Sequence, residues 1–186
     1  MKRLIDIVVS FVLLILLSPL FVVLAALVCL TTPGRALHWS NRVGRDNRKF
    51  EMPKFRTMRD STPQLPTHLL TNCSDCVTQV GRFLRRSSLD ELPQLWSVLT
   101  GTMSLVGPRP ALFNQGDLIA LRTDRGAQTL LPGVTGWAQV NGRDDLPIPL
   151  KVEFDVEYLR RQSLWFDLRI LFMTVRTVFS GKGVRF

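Results

Sequence analysis

Asp90 and Glu91 stand side by side in Ser88-Leu89-Asp90-Glu91-Leu92-Pro93, shortly after Arg85-Arg86. Adjacent carboxylates can supply a nucleophile, a proton-transfer group or a hard-metal site, and neighbouring charge decides which. Arginines beside a carboxylate favour its ionised form, which suits a nucleophile or metal ligand and disfavours a general acid. Lys54 and Arg56, in KFEMPKFR, are further cations able to converge on the pair. Proline is tolerated only in the first turn of a helix, so Pro93 predicts a helix that starts close to Asp90, runs through QLWSVL and closes at Gly101. A helix N-terminus there would also favour phosphate. The competing reading is structural, because SLDE has the spacing of a capping box. Downstream, SLVGPRP (Ser104 to Pro110) reads as a stiff turn that aims Arg109. In LPGVTGWAQVNGR, Leu131 to Arg143, glycines at 133, 136 and 142 surround Trp137. Such glycines let backbone approach phosphate, but their spacing is neither that of the P-loop nor the dinucleotide fingerprint, and a turn-rich linker is the plain alternative.

Elements must carry these residues. From Ala36 the pattern alternates loosely, turns at Gly44-Arg45-Asp46-Asn47 and resumes as KFEMPKF, predicting a β-hairpin whose second strand Pro53 confines to an edge. Asp60 to Cys76 is rich in Ser, Thr and Pro without periodicity and reads as a loop. Lys151 to Arg161 mixes acids, bases and apolar residues at helical spacing, mostly as a solvated face would. The segment SLWFDLRILFMTVRTVFSGKG predicts a helix from Ser163 to Gly181 carrying Trp165, Phe166, Phe172 and Phe179, with Arg169 and Arg176 on one side. It reads as an interfacial helix, its arginines toward lipid phosphates, or as a core helix.

Twenty-four Lys and Arg against fifteen Asp and Glu leave a net charge of +9, alongside 46% hydrophobic residues in a chain of 186. High charge and high apolar content coexist because the apolar residues are segregated: Ile7 to Gly34 holds no charged side chain. This excludes a disordered chain, a disulfide scaffold and an ordinary cytosolic globule, and favours a membrane-attached basic domain. Three cysteines, Cys29, Cys73 and Cys76, argue against a disulfide framework, and two histidines without paired spacing argue against zinc. Ile7 to Leu30 would extend about 36 Å as a straight helix, enough for a hydrocarbon core of about 30 Å. Ser18-Pro19 breaks it midway, and neither half alone can cross. Lys2 and Arg3 precede the run while Arg35, Arg42, Arg45, Arg48 and Lys49 follow, so the positive-inside rule keeps both flanks on the cytoplasmic side. A re-entrant helix-break-helix over residues 1–34 meets both conditions; a kinked single span is the alternative.

RVGRDNRKF, KFRTM, VGRFLRRSSLDELPQLWSVLTGTMSLVGPRP, LPGVTGWAQVNGR and KVEFDVEYLRRQSLWFDLRILFMTV together resemble the monotopic phosphoglycosyl transferases of bacteria in their minimal form. The similarity runs nearly end to end. It implies a mainly α fold with a small β-hairpin: a re-entrant membrane helix broken at Ser18-Pro19, interfacial amphipathic helices and a cytoplasmic catalytic domain over residues 35–186. It implies transfer of a sugar-1-phosphate from a nucleotide-diphosphate sugar, a UDP-sugar, to polyprenyl (undecaprenyl) phosphate on the cytoplasmic face of the inner membrane. By the same resemblance Asp90 is the nucleophile, Glu91 its dyad partner and foremost Mg²⁺ ligand with Asp90 beside it, and Lys54, Arg56, Arg85, Arg109 and Arg143 bind phosphate. Asp167 matches another family position without a role. The expected partners are donor, acceptor and membrane lipid, with no nucleic acid and a homodimer left open. The chain is expected to be the catalytic unit alone. The stretch Pro63 to Cys76 and Pro53 depart from the family pattern, which bears on the sugar rather than the chemistry. Two other classes compete: a non-catalytic basic protein on anionic lipid or nucleic acid, which leaves Asp90-Glu91 without a reason, and a membrane phosphatase with a covalent aspartate.

Overall fold

The computed structural model describes residues 1–59, 76–142 and 145–180. Arg143, Cys73 and all of the expected Asp60–Cys76 loop except its last residue lie outside the described residues. Cys76 is disulfide-bonded, against the expectation from the odd cysteine count. The fold is mostly helical with small sheets, as expected.

The apolar run forms two helices, α1 (Lys2–Leu16) and α2 (Ser18–Thr31), bent by 63° at the break. Proline has no N–H, so Pro19 cannot bond the carbonyl of Ile15 four residues back. The Ser18 hydroxyl donates to that carbonyl instead, at 2.8 Å. No single helix among the described residues is long and apolar enough to cross a membrane; the bent pair together is. One stripe of α1 faces the rest of the molecule: Asp6 and Ser10 are buried, and Val9, Leu13 and Leu14 join the main core. The opposite stripe, Val8, Phe11, Val12 and Ile15, is more than half exposed.

The hairpin is present, β1 (Leu37–Val43) pairing antiparallel with β2 (Lys49–Phe55). Pro53 sits on an edge strand as predicted, since among the described residues β2 pairs only with β1, whose other neighbour is the short strand Ala111–Leu112. The chain then builds α3 (Gln79–Ser87), α4 (Gln94–Thr100), β3 (Ser104–Val106), β4 (Ala111–Leu112) and α5 (Gly116–Asp124). It closes with β5 (Gly133–Thr135), α6 (Trp137–Val140), α7 (Ile148–Arg161) and α8 (Leu164–Ser180). β3 and β5 form a separate parallel pair, Ser104 opposite Gly133 and Val106 opposite Thr135. Three-residue strands with crossovers leave no periodicity to read, so this pair was invisible in the sequence.

The glycine-rich motif serves that pair. A Cβ at Gly133 would lie 2.1 Å from the Gly107 nitrogen, and one at Gly136 would lie 2.0 Å from the Gly107 carbonyl oxygen. Both glycines therefore bring β5 against the turn that carries Arg109, a backbone-to-backbone contact rather than a phosphate cradle.

One helical reading is corrected. α7 is no solvated face: Val152, Asp155 and Tyr158 are buried along one side. α8 starts under a Ser163 cap, whose Oγ accepts from the Phe166 N–H at 3.2 Å, and then divides its aromatics. Phe166 and Ile170 enter the core, whereas Trp165 and Phe172 are 80% and 76% exposed. The helix is both core and surface.

Candidate active site

Ser88 ends α3 in the left-handed region (φ 57°), and the chain turns there into a single 3-10 turn, Leu89–Glu91. Pro93 follows and α4 begins at Gln94. The Ser88 side chain makes no capping bond, so the capping-box reading of SLDE fails. α4 starts a turn later than predicted but ends at Gly101 (φ 97°) as expected. Leu89 and Leu92 pack against the cluster of Phe55, Leu84, Leu24 and Val28, fixing the turn on both sides of its acids. Asp90 is buried, 7% exposed.

Three cations from three elements act on Asp90: Lys54 on β2, Arg85 on α3 and Arg109 on the turn after β3. The Arg109 Nη1 donates to Glu91 Oε1 at 2.9 Å. The Arg85 Nε donates to the buried Thr57 hydroxyl at 3.0 Å. α3 can sit this close to Thr57 only because residue 81 is glycine, a Cβ there lying 2.1 Å from the Thr57 carbonyl oxygen. The structure thus brings together Lys54, Arg85, Asp90, Glu91 and Arg109. Arg56 is not among them; its Nη2 donates to the Thr32 carbonyl at 2.8 Å and ties the end of α2 to the hairpin.

The protonation expectation needs correction. Asp90 is not held firmly ionised: its pKa is raised from 3.8 to about 7, first by burial and then by the neighbouring Glu91 charge. Lys54, Arg85 and Arg109 pull the other way without prevailing. Desolvation outweighs charge because the carboxyl is closed off from water, and the adjacent Glu91 charge adds to it. Lys54 is lowered from 10.5 to about 8, by burial and by Arg42 and Arg85. A carboxylate and an ammonium poised around neutrality can carry out nucleophilic attack and anion binding under ordinary conditions.

Among the described residues no group of three or more His, Cys, Asp or Glu is arranged to hold a metal. Asp90 and Glu91 are nevertheless two adjacent hard oxygen donors, the number Mg²⁺ commonly takes from protein when substrate phosphates and water fill its remaining positions. The donor set fits that ion.

Sequence reasoning missed four residues. Arg42 shares a strand face with His38, which is opposite Lys54, and donates to the Pro110 carbonyl at 3.2 Å. Strand parity would have revealed it. Thr57 anchors Arg85, and the ion pair Arg122–Asp155 supports the Arg109 turn. That pair spans 33 residues and has no local signal. Asp167, previously without a role, accepts from Lys2 Nζ at 2.6 Å and from the Tyr158 hydroxyl at 2.7 Å.

Comparison with known proteins identifies the family. The family model described as bacterial sugar transferase matches residues 1–181. The UDP-glucose:undecaprenyl-phosphate glucose-1-phosphate transferase of Escherichia coli is 41% identical over 98% of this chain and 41% of its own length. The undecaprenyl-phosphate galactose phosphotransferase of Salmonella typhimurium is 38% identical over 98% of this chain and 41% of its own length. The uncharacterized sugar transferase EpsL of Bacillus subtilis is 38% identical over all of this chain and 90% of its own. The chain spans about two-fifths of the two longer relatives. With the family model matched from end to nearly end and relatives aligned along the whole chain, this protein belongs to the bacterial sugar transferases.

Proposed function

We propose that the protein transfers a sugar-1-phosphate from a UDP-sugar to undecaprenyl phosphate through a covalent aspartyl-phosphosugar, a membrane step that begins a surface glycan. The observation that carries the reading is the burial of Asp90, beside Glu91, among Lys54, Arg85 and Arg109. Two anionic substrates meet at such a site only if cations offset their repulsion, and a buried carboxylate stripped of water is the stronger nucleophile. The names of the relatives support the donor and acceptor classes.

In the first half-reaction an Asp90 carboxylate oxygen attacks the donor β-phosphorus. The bond from that phosphorus to the oxygen bridging the α-phosphate breaks, and UMP leaves with the electron pair. In the second, a phosphate oxygen of undecaprenyl phosphate attacks the same phosphorus and the Asp90 carboxylate is released. Arg109, anchored on Glu91, and Lys54 bind and orient the diphosphate, and Arg85 holds its place through Thr57. Glu91 and Asp90 would hold Mg²⁺, which would offset the charge of the diphosphate. The bent α1–α2 pair and its apolar outer stripe fit attachment to the cytoplasmic face of the bacterial inner membrane, by re-entry.

The test is UMP release by detergent-purified protein from a panel of UDP-sugars, with Mg²⁺ and undecaprenyl phosphate, beside Asp90→Asn. Lipid-linked diphosphosugar that needs both lipid and Asp90 establishes the reaction and identifies the sugar. Free sugar phosphate made without lipid would mean a hydrolase. Release that survives in Asp90→Asn removes Asp90 as nucleophile.

A further inference from the structure

The turn Gly107-Pro108-Arg109-Pro110 contains two residues without an N–H, so it is held mainly by its carbonyls. The Gly133 N–H donates to the Pro108 carbonyl at 2.9 Å, and Arg42 Nη1 to that of Pro110. Between them, Arg122 Nη1 on α5 donates to the Arg109 carbonyl at 2.9 Å. The same guanidinium engages Asp155 on α7, Nε at 2.9 Å and Nη2 at 2.7 Å from Oδ2. Their side chains are 11% and 2% exposed. A buried ion pair costs desolvation that an apolar pair would avoid, so its presence calls for a task beyond cohesion. Here one edge of a planar fork is satisfied by the carboxylate, which leaves Nη1 on the other edge directed at one backbone atom. That atom belongs to the residue whose own side chain binds Glu91.

We propose that Arg122, locked by Asp155, is a positioning residue for sugar-phosphate transfer: it sets the Arg109 backbone so that the Arg109 guanidinium reaches Glu91 and the donor diphosphate. The diphosphate part rests on the function proposed above. Arg122 touches no reacting atom, and its whole effect passes through Arg109.

That dependence makes a double-mutant test decisive. Arg122→Lys keeps the positive charge for Asp155 but cannot reach both the carboxylate and the Arg109 carbonyl. It is expected to lower kcat/KM for the UDP-sugar by about tenfold to a hundredfold, the usual scale for a misplaced binding group. Placed in an Arg109→Ala background, the same substitution should change kcat/KM less than about twofold while lowering Tm by the same amount as before. Equal fold-losses in both backgrounds would overturn the proposal and leave Arg122 a general stabiliser. Asp155→Asn serves as a second variant if Arg122→Lys does not fold, with the same pattern required.

Hydrogen exchange over residues 105–113 supplies a readout independent of turnover. Faster exchange confined to that segment in Arg122→Lys supports the proposal; unchanged exchange overturns it. Wild-type protein inert toward every UDP-sugar would defeat the transferase reading alone, and the exchange result would then decide the positioning role by itself.

Discussion

Asp90 combines two demands that oppose each other: a nucleophile must be ionised, and burial resists ionisation. With its pKa raised to about 7, the reactive carboxylate accumulates as pH rises through that value. Lys54, lowered to about 8, loses its charge above that. The pH profile of kcat/KM for UMP release should therefore be a narrow bell, rising to about 7 and falling beyond about 8, the two limbs belonging to the coupled pair. Lys54→Arg should push the alkaline limb beyond pH 9; an unmoved limb would assign it to another group. Asp90→Asn should lower turnover by about 10³-fold or more, as loss of a covalent nucleophile does. Stability should move oppositely. The folded state holds the Asp90 proton more tightly than the unfolded chain, so ionisation costs stability progressively from pH 3.8 to about 7. Asp90→Asn should accordingly be more stable than wild type at pH 8, on the order of 1–3 kcal/mol, and equal to it near pH 4, measured by thermal melts.

The elements succeed by close approach. α3 delivers Arg85 only because Gly81 lets its backbone meet Thr57, and β5 delivers the Arg109 turn only because Gly133 and Gly136 meet Gly107. Gly81→Ala is expected to cost about 1–3 kcal/mol from overpacking and to raise KM for the UDP-sugar as Arg85 loses Thr57. A normal KM with lowered stability would separate the seat of α3 from donor binding. Much of this level was legible. The hairpin, its turn, the edge position of Pro53, the Ser18-Pro19 break, the Ser163 cap and the stop at Gly101 all come from residues whose backbone preferences are local. What misled was composition: α7 resembles a solvated face because Asp155 and Tyr158 are polar, yet Arg122 and Asp167 pair with them in the interior.

At the scale of the whole molecule, the apolar helix pair is not a detachable anchor. Arg3 donates to the Val98 and Leu99 carbonyls at 2.6 and 2.9 Å, supplying the acceptors at the end of α4 with a cation. Asp6 accepts from the Ser104 hydroxyl and the Leu105 N–H. Lys2 reaches both Asp167 and the Val106 carbonyl. Lys2 and Arg3, the basic residues before the apolar run, thus bond to the rest of the fold, whereas Arg35 and Arg45 after it are exposed. Asp6→Ala should strand two buried groups and lower stability in detergent by about 2–4 kcal/mol, read by thermal melts against Ser10→Ala as a control. Topology has its own test. Cysteines placed at Lys2 and at Arg35, in a background without the native thiols, should both react with an impermeant reagent from the cytoplasmic side only. Labelling from opposite sides would replace re-entry by a kinked span.

By itself the sequence determined the segregated apolar run, its break, the hairpin, the acid pair and the basic surroundings, because each depends on neighbours within a few residues. The family followed from the order of those motifs. Only the tertiary structure decided that Arg56 leaves the cluster for Thr32, that Arg42 and Arg122 hold the Arg109 turn, and that Asp90 is raised rather than lowered. Those outcomes depend on burial and on partners dozens of residues apart. Charge is written in the sequence; the dielectric in which it acts is made by the fold.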